Sequence, residues 1–281
     1  NSYFLDYVLN DMEEKYGKEF IHFGGLRIYT TLDSGMQKVA HEVAQGHTRF
    51  LESRMVKEEG QGPLEASVVT IDNQSGAVRV MLGGLDYSKS QFNRAVSNNR
   101  MPGSSFKPFV YMSAFENLGY HPGTVLVDEP IAIDIPGTTP WKPHNFNDKY
   151  QGPVILKNAL AKSLNVISAK LMYELSPKRV IKTARKFGIQ SPLNNNYSLA
   201  LGSSGVSALE LASAYSVVAN TGGYKEPFLV FRVEDYNGNI LYDHLIDNSK
   251  RFEEKEIFPL LDMMKGVVES GSGRVVRRLG F

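Results

Sequence analysis

Phe4, Leu5, Val8, Leu9 and Met12 recur at helical spacing and predict an amphipathic helix over 4–16. Gly24-Gly25 break that pattern, and Leu26-Arg-Ile-Tyr-Thr-Thr31 alternates as a short strand should. Asp33 or Ser34 is placed to cap a helix from about Met36 to Glu58. The charged middle of that helix, Arg49, Glu52, Arg54, Lys57 and Glu58, reads as a solvated face, because exposed ion pairs on helices are common and individually weak. Glu59-Gly-Gln-Gly-Pro63 reads as a linker.

Past Pro63 the pattern changes. Ala66-Ser-Val-Val-Thr-Ile-Asp72 and Ala77-Val-Arg-Val-Met-Leu82 flank Asn73-Gln-Ser-Gly76 and predict a β-hairpin. A polar loop over 86–100 leads to Met101-Pro-Gly-Ser-Ser-Phe-Lys-Pro108, which opens a helix running through Glu116. Pro102 and Gly103 stand outside that helix, and Pro108 falls in its first turn, where a missing N–H costs little. Residues 121–150 are rich in Pro, Gly, Asn and Asp and read as irregular. Helical patterns cover 153–162, 164–175, 177–187 and 208–220, with Ser207 and Glu210 as a capping box and Gly222-Gly223 as a stop. Two short strands over 227–243 flank Asn237-Gly238, and a last helix covers 253–269. The fold class is α+β (mixed α/β), with a small linker module over 1–64 and a helix-rich body over 65–281.

Composition narrows the chemistry. The 281 residues carry 31 Lys+Arg against 30 Asp+Glu, a net charge of +1, so no global footprint for nucleic acid exists. With 0 cysteines there is no disulfide, thiolate metal site or cysteine nucleophile. The 6 histidines are scattered without an HExxH-like pair, which argues against a metal hydrolase. No apolar run reaches the ~18 residues that a membrane span requires. The chain opens on Asn1 and reads as a piece of a longer protein. Adjacent Asp128 and Glu129 are expected in solvent. Arg274, Arg277 and Arg278 read as a solvated helix end or as a basic patch for an anionic glycan, and Tyr111, Phe115, Met263 and Met264 as core.

One constellation carries nucleophile chemistry. Ser104-Ser-Phe-Lys107 places a hydroxyl and an amine about one helical turn apart, on the same face. Serine needs a base to become a nucleophile, and a partly desolvated neutral lysine can serve as one. A helix N-terminus would also favour developing negative charge there. Taken alone, the same four residues read more readily as a helix cap followed by a surface lysine. Ser163-Leu-Asn165, at a predicted helix–helix junction, adds a second hydroxyl for proton relay and an amide for a substrate carbonyl or backbone amide. Ser97-Asn-Asn99 shows how readily such a triplet arises as a mere cap.

Together with its surroundings, this constellation resembles the transpeptidase domain of class A penicillin-binding proteins. The resemblance rests on Asn93-Arg-Ala95, Arg100-Met-Pro-Gly-Ser-Ser-Phe-Lys-Pro-Phe109, Trp141-Lys-Pro-His-Asn145, Tyr150-Gln-Gly152, Leu160 to Asn165, Leu199-Ala-Leu-Gly202 and Leu209 to Tyr215. Gly25-Leu26, Tyr29-Thr-Thr-Leu-Asp33 and Gln37 are similar to the linker that joins a glycosyltransferase module to it. The resemblance implies the penicillin-binding-protein/serine β-lactamase-like fold and a D,D-transpeptidase. Ser104 would attack the carbonyl between the last two D-alanines of a peptidoglycan stem peptide, and Lys107 would take its proton, the identity of the acylation base being disputed in related enzymes. Ser163 would pass a proton to the leaving D-alanine, Asn165 would hold the acyl donor, and Trp141 and Asn145 would line the substrate cleft. A second stem peptide would supply the resolving amine, β-lactams would trap Ser104, and no metal or organic cofactor is implied. The protein would work on the outer face of the bacterial cytoplasmic membrane, held by an anchor upstream of this chain.

One departure stands out. The family's Lys-Thr-Gly motif is missing: Lys182-Thr183 is followed by Ala184 in a helical pattern. Gly271-Ser-Gly273 resembles the segment that precedes that motif in the family. The expectation is therefore that the C-terminal strands of the sheet lie beyond Phe281 and that this piece alone is inactive or poorly folded. Two alternatives remain in view. In a serine carboxypeptidase or β-lactamase water would replace the amine, but Gln190-Ser-Pro-Leu-Asn194 offers an amide where a class A lactamase has its deacylating glutamate. A β-lactam sensor or scaffold would be acylated without cross-linking anything.

Overall fold

The computed structural model describes residues 2–56, 60, 62–135, 137, 139–246 and 249–280. The first half holds α1 (Ser2–Tyr16), α2 (Lys18–Phe23), β1 (Arg27–Thr30), α3 (Ser34–Glu52), β2 (Val68–Ile71), β3 (Val78–Leu82), a 3-10 turn (Gly103–Phe106), α4 (Lys107–Leu118) and β4 (Val125–Asp128). There follow β5 (Gly152–Ile155), α5 (Leu156–Ala161), α6 (Asn165–Leu175), α7 (Pro177–Lys186) and a second 3-10 turn (Tyr197–Leu201). The chain continues through α8 (Ala208–Ala219), β6 (Val230–Glu234), β7 (Ile240–Asp243), α9 (Glu254–Glu269) and α10 (Arg274–Arg278). Among the described residues, no helix is long and apolar enough to cross a membrane. The chain groups into two compact units, one of Asn1–Asn98, Ser207–Ser216 and Lys225–Ser249, the other of Asn99–Val206, Val217–Tyr224 and Lys250–Phe281.

In the first unit, Phe4, Val8 and Met12 form the buried stripe of α1 and pack with Val78, Met81, Val230 and Val233. Hairpin β2–β3 thus shares a core with the N-terminal helix, so the spatial grouping cuts across the expected boundary at residue 64. β1 pairs antiparallel with β6, and β6 with β7. Asp33 caps α3 by accepting the Met36 N–H. The helix stops at Glu52 instead of about Glu58, because the Ser53 N–H and hydroxyl take the Arg49 and Phe50 carbonyls and close the last turn. Lys57, Glu58, Glu59 and Gln61 of the expected helix end and linker lie outside the described residues. Arg49 and Arg54 are exposed, but Glu52 is half-buried and accepts the Leu64 N–H. The block Thr31, Asp33, Gln37 acquires a physical meaning here, because all three bind the edge of β3 that β2 leaves open. The Thr31 hydroxyl bonds the Val78 carbonyl, the Asp33 N–H bonds the Arg79 carbonyl, and the Gln37 amide bonds both the N–H and the carbonyl of Met81.

The second unit is built around α4, which packs against α6, α7 and α9, while α5 packs against α9. Phe106, Phe109, Phe187 and Phe252 form a chain of ring contacts through its core. The sequence reading of 153–162 as one helix is corrected: Gly152–Ile155 is a strand, paired antiparallel with β4 from Val125↔Ile155 to Asp128↔Gly152, and α5 starts only at Leu156. Asp128 is also corrected. It is 1% exposed, on the same strand face as Leu126, whereas Glu129 is exposed and pairs with Lys170. Thr183, beside Lys182, is buried on α7 and donates to Glu116, as a structural residue would. Tyr111 and Met263 are buried, Phe115 and Met264 half-buried, and Arg274, Arg277 and Arg278 exposed on α10.

Candidate active site

All the residues of the constellation lie in the second unit. Ser104 is not in the α-helix itself, as its spacing suggested, but in the 3-10 turn that precedes it, and the Lys107 N–H bonds the Ser104 carbonyl. The turn covers Gly103–Phe106, so Lys107 follows it as the first residue of α4. Ser104 is exposed, whereas Lys107 is 1% exposed.

The lysine ammonium is held by three acceptors, one for each proton. Nζ donates to the Ser163 carbonyl at 2.7 Å, the Ser163 Oγ at 3.0 Å and the Asn165 Oδ1 at 2.8 Å. All three come from Ser163, in the bend between α5 and α6, and from Asn165, the first residue of α6. Among the described residues no carboxylate forms an ion pair with Lys107, and burial pulls its pKa down from 10.5 to about 8. Near neutrality about one lysine in ten is then uncharged, enough to work as a base.

Ser163 reaches its position through left-handed backbone, φ 56, uncommon for a residue with a side chain. This turn aims both its carbonyl and its hydroxyl at Lys107. What holds the turn is the start of α6. Leu164, the residue before α6, supplies no side-chain cap, so the helix N–H groups are satisfied from a distance. Asn145 Oδ1 accepts the N–H of Asn165 at 2.9 Å and of Val166 at 3.3 Å. The Asn165 side-chain nitrogen donates to the His144 carbonyl at 3.0 Å, which leaves its Oδ1 facing Lys107.

Lys107, Ser163 and Asn165 are therefore bonded together, with Asn145 as a buried bracket behind them and Ser104 three residues before Lys107 in the chain. The Trp141 backbone bridges to Ile133 in both directions, and the residue is half-buried. Two residues gained no role from the sequence. Asp128 holds Asn145 from below, and its place on the inward face of β4 beside Leu126 was the available signal. Gly202 closes on Gly103, the residue before Ser104, a contact that the Leu199-Ala-Leu-Gly202 pattern does not by itself reveal.

Chemically, the group offers an exposed hydroxyl, a buried amine of lowered pKa and a second hydroxyl bonded to that amine. Such a set suits attack on a carbonyl with the proton passing through the lysine.

Known proteins resemble this chain in sequence and in fold. The penicillin binding protein transpeptidase domain matches residues 66–279. The chain is 34% identical over 272 residues to penicillin-binding protein 2D of Bacillus subtilis, covering 95% of this chain and 38% of that protein. It is 39% identical over 181 residues to penicillin-binding protein 1A of Pseudomonas aeruginosa, covering 63% of this chain and 22% of that protein. The chain thus spans well under half the length of these relatives. The crystal structure of penicillin-binding protein 1A from Haemophilus influenzae has the same fold, with a TM-score of 0.86 at 19% identity, over 99% of this chain and 60% of that one. The penicillin-binding protein PonA1 from Mycobacterium tuberculosis superposes with a TM-score of 0.80 at 27% identity, over 95% of this chain and 70% of that one. With a family match that takes in the whole serine–lysine and Ser163–Asn165 assembly and most of the sequence around it, the chain belongs to the penicillin-binding protein transpeptidase family.

Proposed function

We propose that this chain is the linker and transpeptidase part of a class A penicillin-binding protein, a D,D-transpeptidase that cross-links peptidoglycan stem peptides and is trapped by β-lactams. The observation that carries the reading is the buried Lys107 amine, bonded at once to Ser163 and Asn165 and placed three residues after an exposed Ser104. The family match beginning at residue 66 supports a functional boundary near residue 64. A segment bearing the family's Lys-Thr-Gly motif would complete the site, and an upstream anchor and glycosyltransferase module would place it on the outer face of the cytoplasmic membrane.

In this reading the Ser104 Oγ forms a bond to the carbonyl carbon of the penultimate D-alanine as its proton moves to neutral Lys107. The tetrahedral intermediate collapses with loss of the terminal D-alanine, whose nitrogen takes up a proton through the Lys107–Ser163 pair. An acyl ester on Ser104 remains. The amine of a second stem peptide then attacks that ester, Lys107 takes the amine proton, and Ser104 regains its own. Asn165 holds the donor peptide, and Trp141 lies in the loop that would flank it. Asn145 serves as a brace rather than a substrate contact, because both ends of its amide are engaged within the protein.

Intact-mass spectrometry of the full-length protein after exposure to benzylpenicillin tests the reading. A single adduct mapped to Ser104 is expected, and cross-linked product should form when donor and amine acceptor are supplied. No adduct, or one on another residue, would refute it.

A further inference from the structure

Asp128 is a buried carboxylate for which the chemistry above has no use. It is 1% exposed, and its partners are neutral: Asn145 Nδ2 donates to Oδ1 at 2.9 Å and to Oδ2 at 3.0 Å, and the Gln151 N–H donates to Oδ2 at 3.0 Å. Burying a carboxylate against amides alone is costly, so the charge must be retained for something that a neutral residue would not do.

That something is the direction of an amide. The Asn145 nitrogen is surrounded by acceptors, the Asp128 carboxylate and the Lys149 carbonyl, while its oxygen is surrounded by donors, the N–H groups of Asn165 and Val166. An ionised carboxylate can only accept, so it fixes which end of the amide faces it and which faces α6. The α6 N-terminus in turn carries Asn165 and follows directly on the left-handed Ser163, and these two residues supply all three acceptors of Lys107.

We propose that Asp128 is a positioning residue for the serine–lysine site, acting through Asn145 to hold Ser163 and Asn165 around Lys107. This rests on the transpeptidase reading above. Asp128 acts by accepting only, so replacing it with its own amide removes the function while keeping the shape. In Asp128→Asn the new amide must keep an oxygen for the Gln151 N–H, which turns its NH2 towards the NH2 of Asn145. If Asn145 rotates to relieve this, its NH2 meets the N–H groups of Asn165 and Val166. Either way two donors face each other. Adding Asn145→Asp restores the polarity towards position 128 and α6, because the carboxylate then accepts from both, although it now faces the Lys149 carbonyl that the Asn145 amide had bonded.

The test is β-lactam acylation of the full-length protein, with the saturating rate and the half-saturating concentration measured separately, alongside thermal melting. Asp128→Asn should lower the saturating rate on the order of 10–100-fold, with the half-saturating concentration little changed, as expected when reacting groups are displaced by a fraction of an ångström. The double variant Asp128→Asn with Asn145→Asp should recover part of that rate, limited by the lost bond to the Lys149 carbonyl, though Asn145→Asp alone, with two facing carboxylates, should be worse than either. A wild-type rate in Asp128→Asn overturns the inference, and so does a folded double variant that recovers nothing. Failure of both variants to fold also overturns it, since the pair would then serve stability alone. Absence of any Ser104 adduct in the wild type would instead sink the transpeptidase reading and this inference with it.

Discussion

Gly202 lies against Gly103: the Gly103 N–H bonds the Gly202 carbonyl at 3.3 Å, and a Cβ on Gly202 would stand 2.2 Å from the Gly103 carbonyl oxygen. Both glycines have left-handed backbone, φ 59 and φ 69, but a Cβ on Gly103 would meet nothing within 4 Å. The two alanine variants should therefore separate. Gly103→Ala carries only the left-handed strain, about 1–2 kcal/mol, and should keep most of the acylation rate. Gly202→Ala must push apart the backbone that sets Ser104, so acylation should fall on the order of 100-fold. β-Lactam labelling kinetics on the two variants decide the matter, and equal rates would show that this contact does not position the nucleophile.

Ser163 combines two features that substitution can pull apart, its left-handed φ of 56 and the hydroxyl on Lys107. Ser163→Ala keeps the strain and removes the hydroxyl. Ser163→Gly removes both, and should be the more stable variant by about 1 kcal/mol in chemical denaturation. Both should lose on the order of 100-fold in acylation, the range of a missing proton-transfer group. If the glycine variant acylates at the wild-type rate, the hydroxyl has no part in the reaction.

Local rules made much of this molecule legible. The α1 stripe, the Asp33 cap, hairpin β2–β3 and the Ser207–Glu210 capping box are short-range features, and each lies where its pattern placed it. The strand at 152–155 did not show itself, because Val154 and Ile155 run straight into the apolar start of α5, and the pairing that makes them a strand comes from Val125 and Leu126, far back in the chain. Asp128 was misread for a similar reason. Its hydrogen-bond partner Asn145 is 17 positions away, and a carboxylate without that partner would indeed belong in water. The end of α3 turned on a single serine whose hydroxyl prefers a nearby carbonyl. At the site, the sequence picked out Ser104 and Lys107 by their spacing, but the cradle of Lys107 depends on a bend held by Asn145.

Gln37 gives a test in the first unit. It is 4% exposed, donates to the Met81 carbonyl at 3.1 Å and accepts the Met81 N–H at 3.0 Å, so its side chain stands where another strand would pair with β3. Gln37→Leu fills the space but orphans two buried backbone groups, which should cost about 2–4 kcal/mol. Urea denaturation should show a lower midpoint with an unchanged slope. Gln37→Glu, which keeps the acceptor and loses the donor, should also destabilise. A leucine variant as stable as the wild type would mean that water satisfies that edge equally well.

The lowered pKa of Lys107 makes acylation and stability depend on pH in ways that can be signed. If the neutral amine takes the Ser104 proton, the acylation rate should rise with pH as a single titration with its midpoint near pH 8, then level off. Lys107→Arg keeps the positive charge but cannot release its proton at any accessible pH, so acylation should be lost throughout and the titration with it. Stability follows from the same displacement. An unfolded lysine titrates near 10.5 and the folded one near 8, so between these values the unfolded chain binds the extra proton. Stability should accordingly rise with pH across that window, and below it the buried ammonium should carry its full, constant penalty. Lys107→Met removes the titrating group but leaves the three acceptors around it unpaired, so it should abolish acylation and flatten the rise of stability between pH 8 and 10.5. Parallel pH-dependent melts of the wild type and the methionine variant in full-length protein check this. A wild-type acylation profile that is flat from pH 6 to 9 would show that Lys107 does not titrate in the step that matters.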